Sequence, residues 1–161
     1  MSTFYYQTEQ FLDIDIDTAW DFFSSAKNLA LITPPELDFK ILTELTGEEI
    51  YEGMLINYTV KPLLGIPLRW ETEICKVERP LYFTDRQLKG PYKLWEHTHS
   101  YTPVNGGVLM KDEVKYQLPF GVLGDIAHAV IVRKKVESIF SFRREVLKSI
   151  FQNNEKIPSN R

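Results

Sequence analysis

Cysteine is nearly missing from this chain: Cys75 stands alone, so no intrachain disulfide can form, and the usage fits a reducing cytosol. Its neighbours Glu71, Glu73 and Glu78 would raise a thiol pKa, which argues against a reactive thiolate. Long apolar runs are missing too. Nowhere does the sequence approach the ~20 consecutive apolar residues of a membrane-spanning helix, and MSTFYYQTEQ lacks the basic segment and apolar run of a secretion signal. The expectation is a soluble, cytoplasmic protein without an integral membrane segment. Positive charge is scarce: 19 Lys and Arg against 22 Asp and Glu leave a net charge of −3, without the basic excess that marks nucleic-acid binding or an acidic membrane surface as partner. No glycine-rich loop opens a helix as phosphate cradles do, and no nucleophile elbow occurs. No cofactor is expected.

Aromatic side chains are plentiful, with ten Phe, eight Tyr and three Trp in 161 residues, enough to line a cavity as well as fill a core. The length suits one domain, assigned to residues 1–151. The polar tail QNNEKIPSNR, 152–161, is expected to fray.

Alternating apolar residues and turn signals predict seven strands, near Phe4 to Leu12, Phe39 to Leu45, Leu55 to Val60, Pro67 to Val77, Tyr82 to Lys89, Leu94 to Thr102 and Val108 to Leu118. Between the first two, Asp15 or Asp17 can cap a helix running through Trp20, Phe22 and Phe23 to about Lys27, before Thr33-Pro34-Pro35 breaks the chain. From Leu123 to Phe151 apolar residues recur at helical spacing without proline. The fold class is therefore α+β: an antiparallel sheet must bury one face, and this long helix is the only large partner for it.

Strand periodicity sorts the stretch GPYKLWEHTHSY. Trp95, His97, His99 and Tyr101 share one face while Glu96, Thr98, Ser100 and Thr102 share the other, so the histidines point inward. In the next strand Met110, Asp112, Val114, Tyr116 and Leu118 form the inner set, and Asp112 is its one charge. A two-residue Asn105-Gly106 hairpin places His99 opposite Asp112, Trp95 opposite Tyr116 and Glu96 opposite Lys115; a register centred on Gly106-Gly107 would keep both faces but shift the partners. A three-residue turn over Gly90-Pro91-Tyr92 places Gln87 opposite Trp95, Asp85 opposite His97 and Phe83 opposite His99; a two-residue turn would reverse that face. Tyr58 and Trp70 belong to the inward sets of earlier strands. On the long helix Arg143 falls inside the apolar arc of Val136, Phe140 and Leu147, so its guanidinium needs Asp112, Asp85, a carbonyl or an anionic ligand.

Together these motifs resemble a known superfamily. Pro67-x-Arg69-Trp70-x-Thr72-x-Ile74, Phe83-x-Asp85-x-Gln87, Gly90-Pro91-Tyr92-x-Leu94-Trp95-Glu96-His97-Thr98-His99, Gly106-Gly107-x-x-Met110-x-Asp112 and Leu118-Pro119-Phe120-Gly121-x-Leu123-Gly124 are similar to the bacterial ligand-binding group of the START-like, or SRPBCC, superfamily, which includes birch pollen allergen and polyketide cyclase relatives. The resemblance runs from about Phe4 to Phe151, in outline only over the first third. It implies a helix-grip fold: a seven-stranded curved antiparallel sheet around the C-terminal helix, with short helices after the first strand. It also implies a cavity for an apolar or amphipathic molecule, without implying a reaction.

The leading expectation is a binding protein for a lipid, isoprenoid or polyketide-like compound. Tyr58, Trp70, Trp95 and Tyr116 would form the walls, and Asp85, Gln87, His97, His99, Asp112 and Arg143 would orient the polar end. One alternative is a cyclase, dehydratase or hydrolase using His99 and Asp112 as an acid/base pair. Another is a regulatory protein-interaction module with a filled interior and an exposed apolar patch. His97-x-His99 with a carboxylate nearby could ligate zinc or iron, but so short a motif arises readily by chance, and no metal is expected.

Overall fold

The structure, a computed structural model, describes residues 1–47, 49–62 and 64–152. Strand β1 (Phe4–Leu12) leads into helices α1 (Ile16–Phe23) and α2 (Ala26–Leu29) and a 3-10 turn at Pro35–Leu37. Asp15 caps α1 by accepting the Thr18 backbone N–H at 2.8 Å, which satisfies a donor the helix itself cannot. The single helix expected through Lys27 is divided, because Ser24 and Ser25 interrupt it after Phe23. Six strands follow: β2 (Lys40–Ile41), β3 (Leu55–Val60), β4 (Leu68–Glu78), β5 (Tyr82–Lys89), β6 (Leu94–Val104) and β7 (Gly107–Gln117). The chain then forms α3 (Gly121–Ala127), a π-helical turn at His128–Val132, and α4 (Arg133–Gln152). Of the tail expected to fray, residues 153–161 lie outside the described residues.

The sheet order is β1-β7-β6-β5-β4-β3-β2, antiparallel throughout. The short helices carry the chain from β1 at one edge to β2 at the other. This is the expected α+β helix-grip plan. Gly106, with φ +86°, supplies the left-handed turn of the β6–β7 hairpin, and the ladder opposes His99 to Asp112, Trp95 to Tyr116 and Glu96 to Lys115 as the Asn-Gly turn requires. Between β5 and β6, Asp85 opposes His97 and Phe83 opposes His99, but the ladder stops at the Arg86 and Glu96 pair. Strand β2 is shorter than expected. The Leu42 and Thr43 amides both donate to the Asn57 carbonyl, at 2.7 and 3.2 Å, and the Thr43 hydroxyl accepts the Asn57 amide at 2.7 Å, so a side chain replaces the ladder. In β4 the register shifts between Glu71 and Thr72 and again between Ile74 and Lys76; such bulges bend a strand and sharpen its twist.

Val136, Phe140, Arg143, Leu147 and Phe151 of α4 are all buried, a row spaced by three and four residues as one helix face demands. At one end of the fold Trp20, fully buried, meets Phe83 and Tyr101 edge-on. At the other, Val114 and Tyr116 pack with Val136 and Phe140. The uninterrupted helix expected from Leu123 is instead re-phased by the π turn, where the Arg133 amide donates to the His128 carbonyl five residues back. His128 stacks on Phe4 with ring centroids 3.4 Å apart and is hydrogen-bonded through Nε2 to the Tyr116 hydroxyl at 2.8 Å. The additional residue in that turn lets His128 keep these contacts while the Val136 row still faces the sheet.

Gly107 begins β7 where a Cβ would collide with the Leu12 carbonyl and the Phe11 ring. Gly107→Ala is expected to lower stability by about 1–3 kcal/mol, read as a reduced urea midpoint with an unchanged slope.

Candidate functional site

A cavity of about 190 Å³ lies between the sheet and α4. Tyr58, Trp70 and Trp95 contribute aromatic walls: Tyr58 stacks on Trp70 with centroids 5.8 Å apart, and Trp70 meets Trp95 edge-on at 5.6 Å. Ile139 of α4 faces them. Asp85, His97, His99 and Arg143 supply polar groups to the same lining. The helical segments after β1 add Phe22, Phe23, Leu29 and Leu37, which sequence reasoning missed. Their apolar character was visible, but a helix of two turns offers too little periodicity to show which side faces a cavity.

The polar groups form one network. Nε2 of His97 donates to Asp112 Oδ1 at 2.7 Å, and the same oxygen lies 3.3 Å from His99 Nδ1 and 3.4 Å from Arg143 Nη1. Nε2 of His99 donates to Asp85 Oδ2 at 2.7 Å, while His97 Nδ1 is 3.9 Å from that oxygen. Each histidine thus makes its shortest contact with the carboxylate diagonal to it in the ladder, not the one directly opposite. Sheet twist brings diagonal neighbours within reach of long side chains. The Arg143 guanidinium also lies 4.9 Å over the Phe140 ring, a favourable cation–π arrangement.

Burial opposes protonation of both imidazoles, but with different outcomes. For His97, burial and the neighbouring His99 charge outweigh Asp112, and the pKa falls below its ordinary value. For His99, the hydrogen bonds to Asp112 and Asp85 overcome burial, and the pKa rises. Burial would raise Asp112, yet its bonds to His97 and His99 and the Arg143 charge hold it well below the usual carboxylate range; Asp85 is lowered on the same pattern by His99. Each His99 nitrogen faces a carboxylate oxygen and can donate to both only as an imidazolium, whereas His97 donates through Nε2 alone and is read as neutral, beside two carboxylates and one guanidinium. Those four charges sum to zero. His97 Nδ1 remains as an acceptor beside the cavity.

Asp85, His97 and His99 also bring donor atoms within 4.8 Å of one another, close enough to hold a cation. Two ligands about 2.0–2.1 Å from a tetrahedral metal would stand about 3.3 Å apart. His99 Nε2 and Asp85 are 2.7 Å apart, the spacing of a shared proton, and the adjacent Arg143 repels a cation. The geometry therefore fits a charge network better than a chelate. Cys75 lies outside the set: its thiol donates to the Thr84 carbonyl at 3.4 Å, and burial raises its pKa.

The remaining candidates occupy different places. Asp112, 2% exposed, stands behind the histidines and does not itself line the cavity. Tyr116 packs beneath Trp95 with centroids 5.8 Å apart. Gln87 does not line the cavity and does not pair with Trp95: its Nε2 donates to the Tyr92 carbonyl at 2.6 Å and its Oε1 accepts the Tyr92 amide at 3.2 Å. It holds the β5–β6 turn closed and thereby places Tyr92 against Trp70 and Trp95.

No protein-family model matches this sequence, and no curated protein sequence does. Solved structures match its fold. A START superfamily protein from Mycobacterium smegmatis is similar over 94% of this chain and 98% of its own, at 13% identity and a TM-score of 0.66. A norcoclaurine synthase point mutant from Thalictrum flavum, in complex with a transition-state analogue, is similar over 92% of this chain and 96% of its own, at 14% identity and a TM-score of 0.66. Ara h 8.0201 is 16% identical over 92% of this chain and 99% of its own, with a TM-score of 0.58. These likenesses establish the START-like fold that the motifs implied.

The network makes stability sensitive to Asp112 and to pH. Asp112→Asn leaves Arg143 and His99 without their shared carboxylate and is expected to cost about 3–5 kcal/mol, measured by urea denaturation. His99 binds its proton more tightly folded than unfolded. Its contribution is complete below the ordinary histidine value of 6.5 and is lost as pH rises through the higher folded pKa. His97 acts oppositely, its contribution being complete above 6.5 and lost as pH falls toward its lower folded pKa. His99→Gln should therefore flatten the decline of stability on the alkaline side, and His97→Gln the decline on the acid side, in denaturation curves collected across neutral pH.

Proposed function

We propose that this chain binds a compact amphipathic molecule bearing an acceptor oxygen, with its apolar body against Tyr58, Trp70 and Trp95 and its polar end toward His97, His99 and Arg143. One observation carries the reading. Trp70 Nε1 and Arg143 Nε are buried donors without a hydrogen-bond partner among the described residues, and both residues line the cavity. A buried donor left unpaired costs about 1–3 kcal/mol, and an occupant with a carbonyl, ester or similar oxygen would recover it. A charged headgroup is less suitable because the polar network is already neutral. At about 190 Å³ the space is below the roughly 300–1,000 Å³ of drug-sized sites, which favours a short isoprenoid or small polyketide-like compound over a long-chain lipid.

Asp85 and Asp112 fix the imidazoles in this reading, and Gln87 and Tyr116 support the wall from behind. A catalytic reading rests on a different atom from the expected His99 and Asp112 pair. Neutral His97, with Nδ1 left as an acceptor, would be the base, and Asp112 would orient it from Nε2.

The binding test uses 2-acetylnaphthalene against naphthalene, followed by quenching of Trp70 and Trp95 fluorescence. The carbonyl compound should bind at least about fivefold tighter, and Trp70→Phe, which keeps a ring but removes the N–H, should erase much of that preference. Equal affinities, or no binding of either, would refute the proposal. Native mass spectrometry of protein from its own cells would identify a retained occupant. His97→Ala with affinity intact but turnover of that occupant abolished would favour catalysis over carriage.

A further inference from the structure

The net charge of −3 conceals an uneven surface. The ladders gather the start of β1, the ends of β3, β5 and β7, and the starts of β4 and β6 at one end of the sheet: Phe4 opposes Tyr116, Leu94 opposes Gln117, Val60 opposes Leu68 and Glu71 opposes Lys89. The β3–β4 connection, the β5–β6 turn and the β7–α3 junction therefore emerge together. On these segments Leu64 is 93% exposed, Phe120 80%, Val122 74% and Leu123 72%, with Ile66 and Ile126 exposed beside them. Folded monomers rarely leave so many large apolar side chains clustered in water.

Backbone conformation adds a second observation. Leu64 and Phe120 have φ of +54° and +71°, a left-handed conformation that bulky side chains avoid at a cost. Two of the three non-glycine residues so held, among the described residues, thus present large apolar groups to solvent.

Charge supplies the third. Lys61 follows β3, Lys93 lies in the β5–β6 turn, and Arg133, Lys134 and Lys135 open α4, whose Val136 packs with Tyr92 and Tyr116 at this end. The acid within α3, Asp125, is engaged by the Ser2 amide and hydroxyl, at 3.3 and 2.8 Å. Lys61 pairs with Asp38, Arg133 with Glu137, and Lys135 with Glu36, at 2.8, 3.0 and 3.9 Å, half-exposed or exposed surface contacts of small worth. Lys93 and Lys134 enter no ion pair among the described residues. Apolar tips on separate loops with amines set back from them match a bilayer, hydrocarbon beneath and phosphates around. The cavity reaches the same end through Pro62, Tyr92 and Lys135.

We propose that this end of the molecule docks on an anionic phospholipid bilayer. Leu64, Phe120, Val122 and Leu123 insert at the acyl boundary, Lys93 and Lys134 lie at phosphate level, and the Pro62–Tyr92 end of the cavity faces the membrane. The docking goes beyond the binding reading and does not depend on it.

Co-sedimentation with phosphatidylcholine vesicles, with and without phosphatidylglycerol, tests the surface. The full chain should partition onto the anionic vesicles, less so as salt is raised. Phe120→Ser with Leu123→Ser should weaken partitioning by about tenfold or more, and Lys134→Gln by roughly fivefold. Neither change touches the cavity lining, so 2-acetylnaphthalene affinity should stay constant in both; failure of that ligand to bind would count against the cavity and leave the docking result standing. No partitioning, or partitioning that ignores both variants, would overturn the proposal. So would a concentration-dependent dimer, seen by analytical ultracentrifugation and abolished by the double serine variant, because the occupant would then be a second copy of this chain.

Discussion

Asp112 sits in β7 almost without contact with water, and a carboxylate in that position persists only if other groups compensate it. His97 and His99 reach it along the sheet, and Arg143 reaches it across the gap from α4. One oxygen therefore joins the strand carrying the histidines to the helix that closes the fold. The register of α4 is constrained accordingly: it must bury Val136, Phe140, Leu147 and Phe151 and at the same time bring Arg143 to this charge. Such a network is poor evidence for added stability, since apolar residues of equal volume often do as well. What it supplies is a fixed geometry for polar atoms inside an otherwise greasy interior.

Much of this arrangement was legible in the sequence because strand periodicity is strict. Asp112 had to face inward with Val114 and Tyr116, and the Asn-Gly preference of tight hairpins pointed to the register the ladder adopts, over one centred on Gly106-Gly107. Arg143 stood out as a cation within an apolar helical face. The pairing of individual atoms was not legible. Opposition in a ladder is defined at Cα, but long side chains on a twisted sheet lean toward diagonal partners, and so His97 took Asp112 while His99 took Asp85. Gln87 misled for a related reason: facing inward is a property of the strand, and its side chain was captured by the backbone of Tyr92 before it could reach the interior.

Composition says less about the surface than periodicity says about the interior. A global charge of −3 suggested no electrostatic attraction to an acidic membrane, but charge acts locally within about 10 Å in ordinary salt. The fold, which no composition records, brings together Lys61 from the β3–β4 connection, Lys93 from the β5–β6 turn and Lys134 from the start of α4. Exposure is equally invisible to a count of apolar residues. Phe120, at the break before the long helix, and Leu123, at its expected start, are largely exposed, and Phe120 has a left-handed backbone.

The π turn at His128–Val132 behaves as a spacer one residue long, inserted into an otherwise regular helix. Removing one residue there would leave α4 in its present phase and rotate α3 about the helix axis by about 100°. His128 would leave Phe4 and Tyr116, and the crest of Val122, Leu123 and Ile126 would swing to another side of the molecule. The grip on the interior and the aim of that crest are thus separable: chain length between the two helices steers the outer surface without altering what the sheet encloses.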